Sequence, residues 1–180
     1  MSEVLDRYRG LVTVERIAPP GMVALKGDLA NPVLASALRD ALDLPVPDQR
    51  GWTEGAGGRA FWMASDELLL MVPDAGAAMT ALQGRLGDAF ATLADVSDLR
   101  VMFRIRGAHS PDAMAKLAPV DFSDLPPGQL RRTRLAQTAA MIWCEASDAW
   151  GLICFRSAAD YAMGLLTVVA RPGGEVGLYR

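Results

Sequence analysis

From Arg100 to Arg106 the chain alternates. Val101, Phe103 and Ile105 are apolar, Arg100, Arg104 and Arg106 are basic, and Met102 falls among the basic positions. Successive side chains of a strand point to opposite faces, so this pattern predicts a half-buried strand with a basic outer face, closed by Gly107. Its register is tightly constrained, because a slip of one residue would bury the arginines. A chain built round such a strand needs a sheet with an apolar face and something to cover it. Other short strands follow the same logic: 22–28, then 59–63 and 67–72 joined at Ala64-Ser65-Asp66. Residues 130–145 give one or two strands, and 150–155 the next. Met141–Cys144 and Leu152–Phe155 read as the arms of a hairpin turning near Ser147-Asp148.

Helices sit between these strands. Asn31-Pro32 starts one, with Asn as N-cap and Pro at the first helical position. Its apolar residues Val33, Leu34, Ala37, Leu38, Ala41 and Leu42 fall on one stripe, and Pro45 and Pro47 stop it. Asp74 caps a second helix reaching about Leu86, with Gly76 and Gly84 as weak points. Ser110-Pro111 starts a third, with Met114 and Leu117 inward. Ser157, with Asp160 three residues on, approximates a capping box for the last, 158–170. Residues 48–58 and 121–128 read as loops. Strand pairs on short turns, without the repeating crossover of a parallel sheet, predict an α+β fold: an antiparallel sheet with helices packed on it. Pro19-Pro20-Gly21 sets off residues 1–20 as an N-terminal arm or edge strand. Residues 21–171 then form a single α+β domain and 172–180 a tail. A weak echo between the strand–helix units at 22–42 and 101–118 suggests two similar halves within it.

Composition narrows the function. The 180 residues are 51% hydrophobic and 22% charged, which is ordinary for a folded domain. A net charge of −3 argues against nucleic acid as the main partner, since phosphate binding needs a basic surface. No signal-peptide core opens the chain, and no apolar run reaches membrane-spanning length. The two cysteines, Cys144 and Cys154, sit in apolar strands at a diagonal register unsuited to a bridge, so buried free thiols and a reducing cytoplasm are expected.

No catalytic constellation stands out. His109 is the one histidine and precedes a helix start, where a turn residue is the plain reading. One His and two strand cysteines do not make a zinc site. Gly55-Ala56-Gly57-Gly58 lacks the Lys-Ser/Thr of a phosphate-binding loop and does not match a dinucleotide fingerprint, and Gly173–Gly177 lacks the strand–turn–helix context. Asp66 shapes a turn, while Asp95, Ser97 and Asp98 fix the loop before a strand. Arg100, Arg104 and Arg106 form an outward row, and Arg131, Arg132 and Arg134 a second cluster; each is a solvated face or an interface. Arg156 ends an apolar strand and is expected to be partly buried against Asp98 or Asp160. The last helix is apolar on nearly every side, with Tyr161, Leu165 and Val169 among its residues, so it is sandwiched or lies at an interface.

Four stretches in order carry a resemblance: Phe61-Trp62-Met63-Ala64-Ser65-Asp66-Glu67-Leu68-Leu69-Leu70, then Asp95-Val96-Ser97-Asp98-Leu99-Arg100, Arg131-Arg132-Thr133-Arg134-Leu135-Ala136, and Phe155-Arg156-Ser157-Ala158-Ala159-Asp160-Tyr161. From about Met22 to Leu166 the chain resembles the gamma subunit of heterotetrameric sarcosine oxidase. The resemblance implies a subunit with no cofactor of its own, partnered by alpha, beta and delta subunits. FAD, FMN and NAD are then held by alpha and beta, and zinc by delta. Such a complex demethylates sarcosine oxidatively to glycine, forms hydrogen peroxide and passes the one-carbon unit to tetrahydrofolate. The fold implied is similar to the folate-binding domain of aminomethyltransferases such as the glycine-cleavage T protein, where Asp95-Val96-Ser97 looks like a corresponding element. This chain is about half as long as those enzymes and lacks a Gly-Gly-x-x-Asp-Asp-like stretch, so no catalytic role can be carried onto one of its residues. Asp95, Ser97, Asp98, Arg100, Arg104, Arg106, Arg156, Tyr161, Leu165 and Val169 remain structural or interface candidates. A stand-alone folate-binding or one-carbon-transfer protein is the alternative, and a homo-oligomeric scaffold a third reading; the isolated chain is expected to self-associate.

Overall fold

The computed structural model describes residues 3–177. The chain is α+β, with two antiparallel sheets and four helices among the described residues. It divides into two compact units. One combines the segment up to Pro19 with the chain from Leu99 onward; the other is Pro20–Asp98. This division differs from an arm, a single domain over 21–171 and a tail. The first unit claims the N-terminal segment because two strands there complete its sheet.

That sheet runs β1-β2-β8-β11-β10-β9. Its strands are β1 (Val4–Arg9), β2 (Thr13–Ile17), β8 (Arg100–Arg106), β9 (Leu130–Leu135), β10 (Thr138–Ala146) and β11 (Ala149–Phe155). The expected arm is thus an edge strand plus an inner one. One face packs Val14, Val101, Phe103, Ile105, Ile142 and Leu152 against α3 (Ser110–Ala115) and α4 (Ala159–Val169), which contribute Met114, Ala162 and Leu166. Each large side chain so buried stabilises by about 1.5–3 kcal/mol. Val101, Phe103 and Ile105 face this core as the alternation requires. The opposite face is not the solvated basic surface expected: Met102, Met141, Trp143 and Ile153 there are also buried.

The second unit has the order β4-β5-β6-β3-β7. Its strands are β3 (Gly21–Gly27), β4 (Trp52–Gly55), β5 (Gly58–Ala64), β6 (Glu67–Val72) and β7 (Ala91–Asp95). The expected loop at 48–58 therefore contains a strand, β4, whose residues pair with β5 from Trp52↔Phe61 to Gly55↔Gly58. Helices α1 (Pro32–Leu42) and α2 (Ala75–Leu86) pack together over Val23, Leu25, Leu68 and Leu70. Asn31 accepts from Val33 N at 2.9 Å and Asp74 from Ala77 N at 2.9 Å, so both expected N-caps form. Helix α1 ends at Asp43, in the left-handed region at φ 50°, whose N–H bonds the Arg39 carbonyl; the turn comes before the prolines. Val33 is 44% exposed and leaves the expected stripe.

β7 ends at Asp95, a short 3-10 turn spans Ser97–Leu99, and β8 begins at Arg100, so the Asp95–Asp98 segment is the turn before that strand. The start of α4 differs from expectation. Ser157 does not cap α4. It lies inside a 3-10 turn, Arg156–Ala158, that runs straight into the helix, whose N-cap Ala158 has no side-chain bond. Residues 172–177 form no strand, and the rest of the expected tail lies outside the described residues.

The tightest contact is between β10 and β11. Gly151 faces Trp143, and a Cβ on Gly151 would lie 2.0 Å from the indole ring. Trp143 is fully buried and cannot swing away. Gly151→Ala is expected to cost at least about 1–3 kcal/mol through overpacking. Gly164→Ala in α4, where an added Cβ meets nothing within 4 Å, is expected to stabilise the isolated chain by about 0.5–1 kcal/mol. Urea unfolding of the two variants checks both signs.

Candidate functional site

The Asp95–Asp98 turn is a backbone clasp. The Ser97 hydroxyl donates to the Asp95 carboxylate at 2.5 Å, and Ser97 N donates to the same oxygen at 2.9 Å. These bonds, the hydroxyl first, hold the Asp95 carboxyl below its usual range. The Ser97 oxygen also accepts from Met22 N at 2.9 Å, and Val96 N donates to the Met22 carbonyl at 2.8 Å. Asp95 and Ser97 thus tie the end of β7 to the start of β3.

The arginine row is divided by environment. Register places Arg7, Glu15 and Arg104 side by side across β1, β2 and β8. Glu15, 9% exposed, bridges Arg7 at 2.6 Å and Arg104 at 3.7 Å. A charge this buried needs its partners, so the cluster fixes strand order rather than offering a site. Arg106 is exposed and Arg100 half-buried. Arg156 is exposed, where a partly buried side chain was expected, because the chain turns into the 3-10 segment at that point. Asp160 pairs with Arg16 at 3.0 Å, not with Arg156. In the second basic cluster, Arg131 bonds the Asp124 carbonyl at 3.1 Å, while Arg132 and Arg134 project outward from edge strand β9.

Helix α4 buries Ala159, Ala162, Met163 and Leu166. Its other side keeps Tyr161 44% and Val168 53% exposed, with Leu165 and Val169 half-buried. Residues three and four apart on a helix are neighbours, so Tyr161, Leu165 and Val168 make one apolar stripe. The Asp95 clasp belongs to the second unit, and the Glu15 cluster and the α4 stripe to the first. Among the described residues no group of three or more His, Cys, Asp or Glu could hold a metal.

An open cavity of about 1270 Å³ lies in the first unit, between α3, the 119–127 loop and the β10–β11 turn. Pro119, Phe122, Pro126, Pro127 and Trp150 wall it, with Asp121 and Asp148 beside them. Phe122 meets Trp150 edge to face, with centroids 5.2 Å apart and planes at 83°. Sequence reasoning passed over this cavity as a loop. Its available signal was three prolines beside an Asp-x-Ser turn, a stiff segment that buries Phe122 and Leu125 while its prolines wall the cavity.

Both cysteines are buried and free. Cys144 faces Trp150 and Cys154 faces Ala140, towards opposite ends of the hairpin rather than diagonally adjacent. Burial pushes each thiol up to about 11 from an ordinary 9.0; Glu145 adds to this at Cys144, and Arg16 offsets part of it at Cys154. The folded state therefore keeps protons that the unfolded state gives up near pH 9. Stability is unaffected below that pH and falls between pH 9 and 11. A disulfide-exchange reagent at pH 8 is expected to titrate neither thiol in the native chain and both in denaturant, and Cys144→Ser/Cys154→Ser is expected to flatten the fall above pH 9.

The model of the sarcosine oxidase, gamma subunit family matches residues 26–170. The sarcosine oxidase subunit gamma of Corynebacterium sp. (strain U-96) is 26% identical over 135 residues, covering 74% of this chain and 65% of that protein, just under two thirds of its length. A chain of the heterotetrameric sarcosine oxidase from Corynebacterium sp. U-96, in complex with pyrrole 2-carboxylate, has a similar fold: TM-score 0.80, 21% identity, 88% of this chain and 83% of that one. Glycine cleavage system aminomethyltransferase T from Bartonella henselae is similar in fold over 89% of this chain and 46% of its own, with TM-score 0.61 and 15% identity. With the family model covering most of its length, the chain belongs to the sarcosine oxidase gamma subunit family.

Proposed function

We propose that this chain is the non-catalytic gamma subunit of a cytoplasmic sarcosine oxidase complex. In this reading alpha, beta and delta subunits are its partners. FAD, FMN, NAD and zinc reside in those partners, and tetrahydrofolate accepts the one-carbon unit released as sarcosine becomes glycine. The gamma-subunit family match over residues 26–170 carries the reading. Among the described residues no helix is long and apolar enough to cross a membrane.

The α4 stripe supports the same reading. Tyr161 and Val168 each leave about half of their surface in water, and covering the remainder would gain on the order of 1 kcal/mol each. We assign this face, with Leu165 and Val169 at its border, to a subunit contact. Tyr161→Asp/Val168→Asp is expected to weaken assembly with the remaining subunits at least tenfold and to leave the isolated chain folded. Wild-type affinity in that variant would move the contact elsewhere.

The isolated chain is expected to be colourless and inactive on sarcosine; a flavin spectrum retained through purification would overturn the non-catalytic role. Titration with folinic acid, followed by the fluorescence of Trp52, Trp62, Trp143 and Trp150, is expected to be flat. Saturable quenching would favour the stand-alone folate-binding alternative.

A further inference from the structure

The groove at the 119–127 loop combines features that a solvated surface does not require. It is open, and its volume of about 1270 Å³ exceeds the roughly 300–1,000 Å³ of small-molecule sites, which leaves room for a segment of chain. Pro119, Pro126 and Pro127 restrict the wall, which is therefore formed before anything docks and loses little freedom on binding. The lining contains no Lys, Arg or His, whereas Asp121 and Asp148 both stand at it. Both are exposed, and among the described residues neither forms an ion pair. The Ser123 hydroxyl and N–H donate to Asp121 at 2.6 and 2.9 Å, aiming its carboxylate and holding it ionised.

The second observation is at the groove's inner wall. Trp150 is 1% exposed, and its indole N–H, closed off from solvent, has no acceptor. Buried donors are almost always satisfied, so an orphan of this kind calls for a partner. Phe122 packs against the same ring.

We infer that this groove docks a basic, apolar segment of another subunit, with a Lys or Arg head meeting Asp121 and Asp148 and a main-chain carbonyl accepting the Trp150 N–H. The inference rests on the subunit reading above. Charge selects the occupant: an acidic segment would meet two carboxylates without a counter-charge, and a neutral one would leave both unpaired.

The test uses the full chain and the remaining subunits of its native complex, purified together, with affinity measured by light scattering across a salt series. The Asp121→Asn/Asp148→Asn chain keeps the acceptor that Ser123 uses. It is expected to bind about tenfold more weakly at low salt and to match the wild type by about 0.5 M salt, where screening has removed the attraction. Ser147→Trp, at the exposed hairpin turn, fills the mouth and is expected to lose binding at every salt concentration. Hydrogen exchange on the wild type is expected to slow at 119–127 on assembly. Wild-type affinity in either variant, or unchanged exchange in that loop, overturns the groove while leaving the subunit reading intact. Failure of the wild-type chain itself to assemble overturns both.

Discussion

Strand β8 is the constraint on which the first unit depends. It lies between β2 and β11, paired with β11 from Arg100 to Arg106 and with β2 from Met102 to Arg106. Its odd residues enter the helix-covered core, and Arg104 on the other face meets Glu15. A shift by one residue would place Arg104 among Phe103's present neighbours and break the bridge at the same time. Two penalties of different origin thus enforce one register: desolvation of an arginine, and an acid left unpaired. The same register aligns Gly151 with Arg104 across β11, and Trp143 with Gly151 across β10. The indole occupies the space that a side chain at Gly151 would need, so the packing of β10 follows from the pairing of β8.

Much of this was legible locally. Asn31-Pro32, Asp74 and the alternation at 100–106 each declare an element through a mechanism that acts within a few residues, and each formed. The failures share a different cause. Residues 1–20 read as an arm or an edge strand because Pro19-Pro20-Gly21 sets them off, and the sheet they join is not announced locally. Their pairing with β8, some ninety positions away, is a non-local contact that propensity cannot announce. Strand β4 was hidden by Trp52-Thr53-Glu54-Gly55, whose partner lies just beyond the Gly55–Gly58 turn. Ser157 followed by Asp160 resembles a capping box, yet the backbone at Arg156–Ala158 tightens into a 3-10 turn and leaves the serine outside the cap.

Sites were less legible than elements. Glu15 was never singled out, although it is the acid that holds Arg104; only strand order reveals that the two are adjacent. Arg156 was expected to be partly buried from its place after an apolar run, but the run ends in a turn that leaves the residue exposed. Conversely, the apolar circumference of α4 was visible from composition alone. What the fold adds is which part stays uncovered: Ala162, Met163 and Leu166 take the inner side, leaving Tyr161 and Val168 outside.

The first unit's groove and the α4 stripe differ in physical kind, and that difference bears on how a subunit of this type would work. The stripe is apolar and unspecific in direction; burying it supplies affinity for any complementary surface. The groove is stiff, acidic and narrow in the chemistry it accepts, so it supplies register and partner choice. A contact using only the first would slide or self-associate, and one using only the second would be weak and lost in salt. Each compensates for the other's weakness. The isolated chain retains the stripe without a heterologous partner, and this is why self-association through α4 is the physical expectation for it, whereas the carboxylates of two copies would repel at the groove.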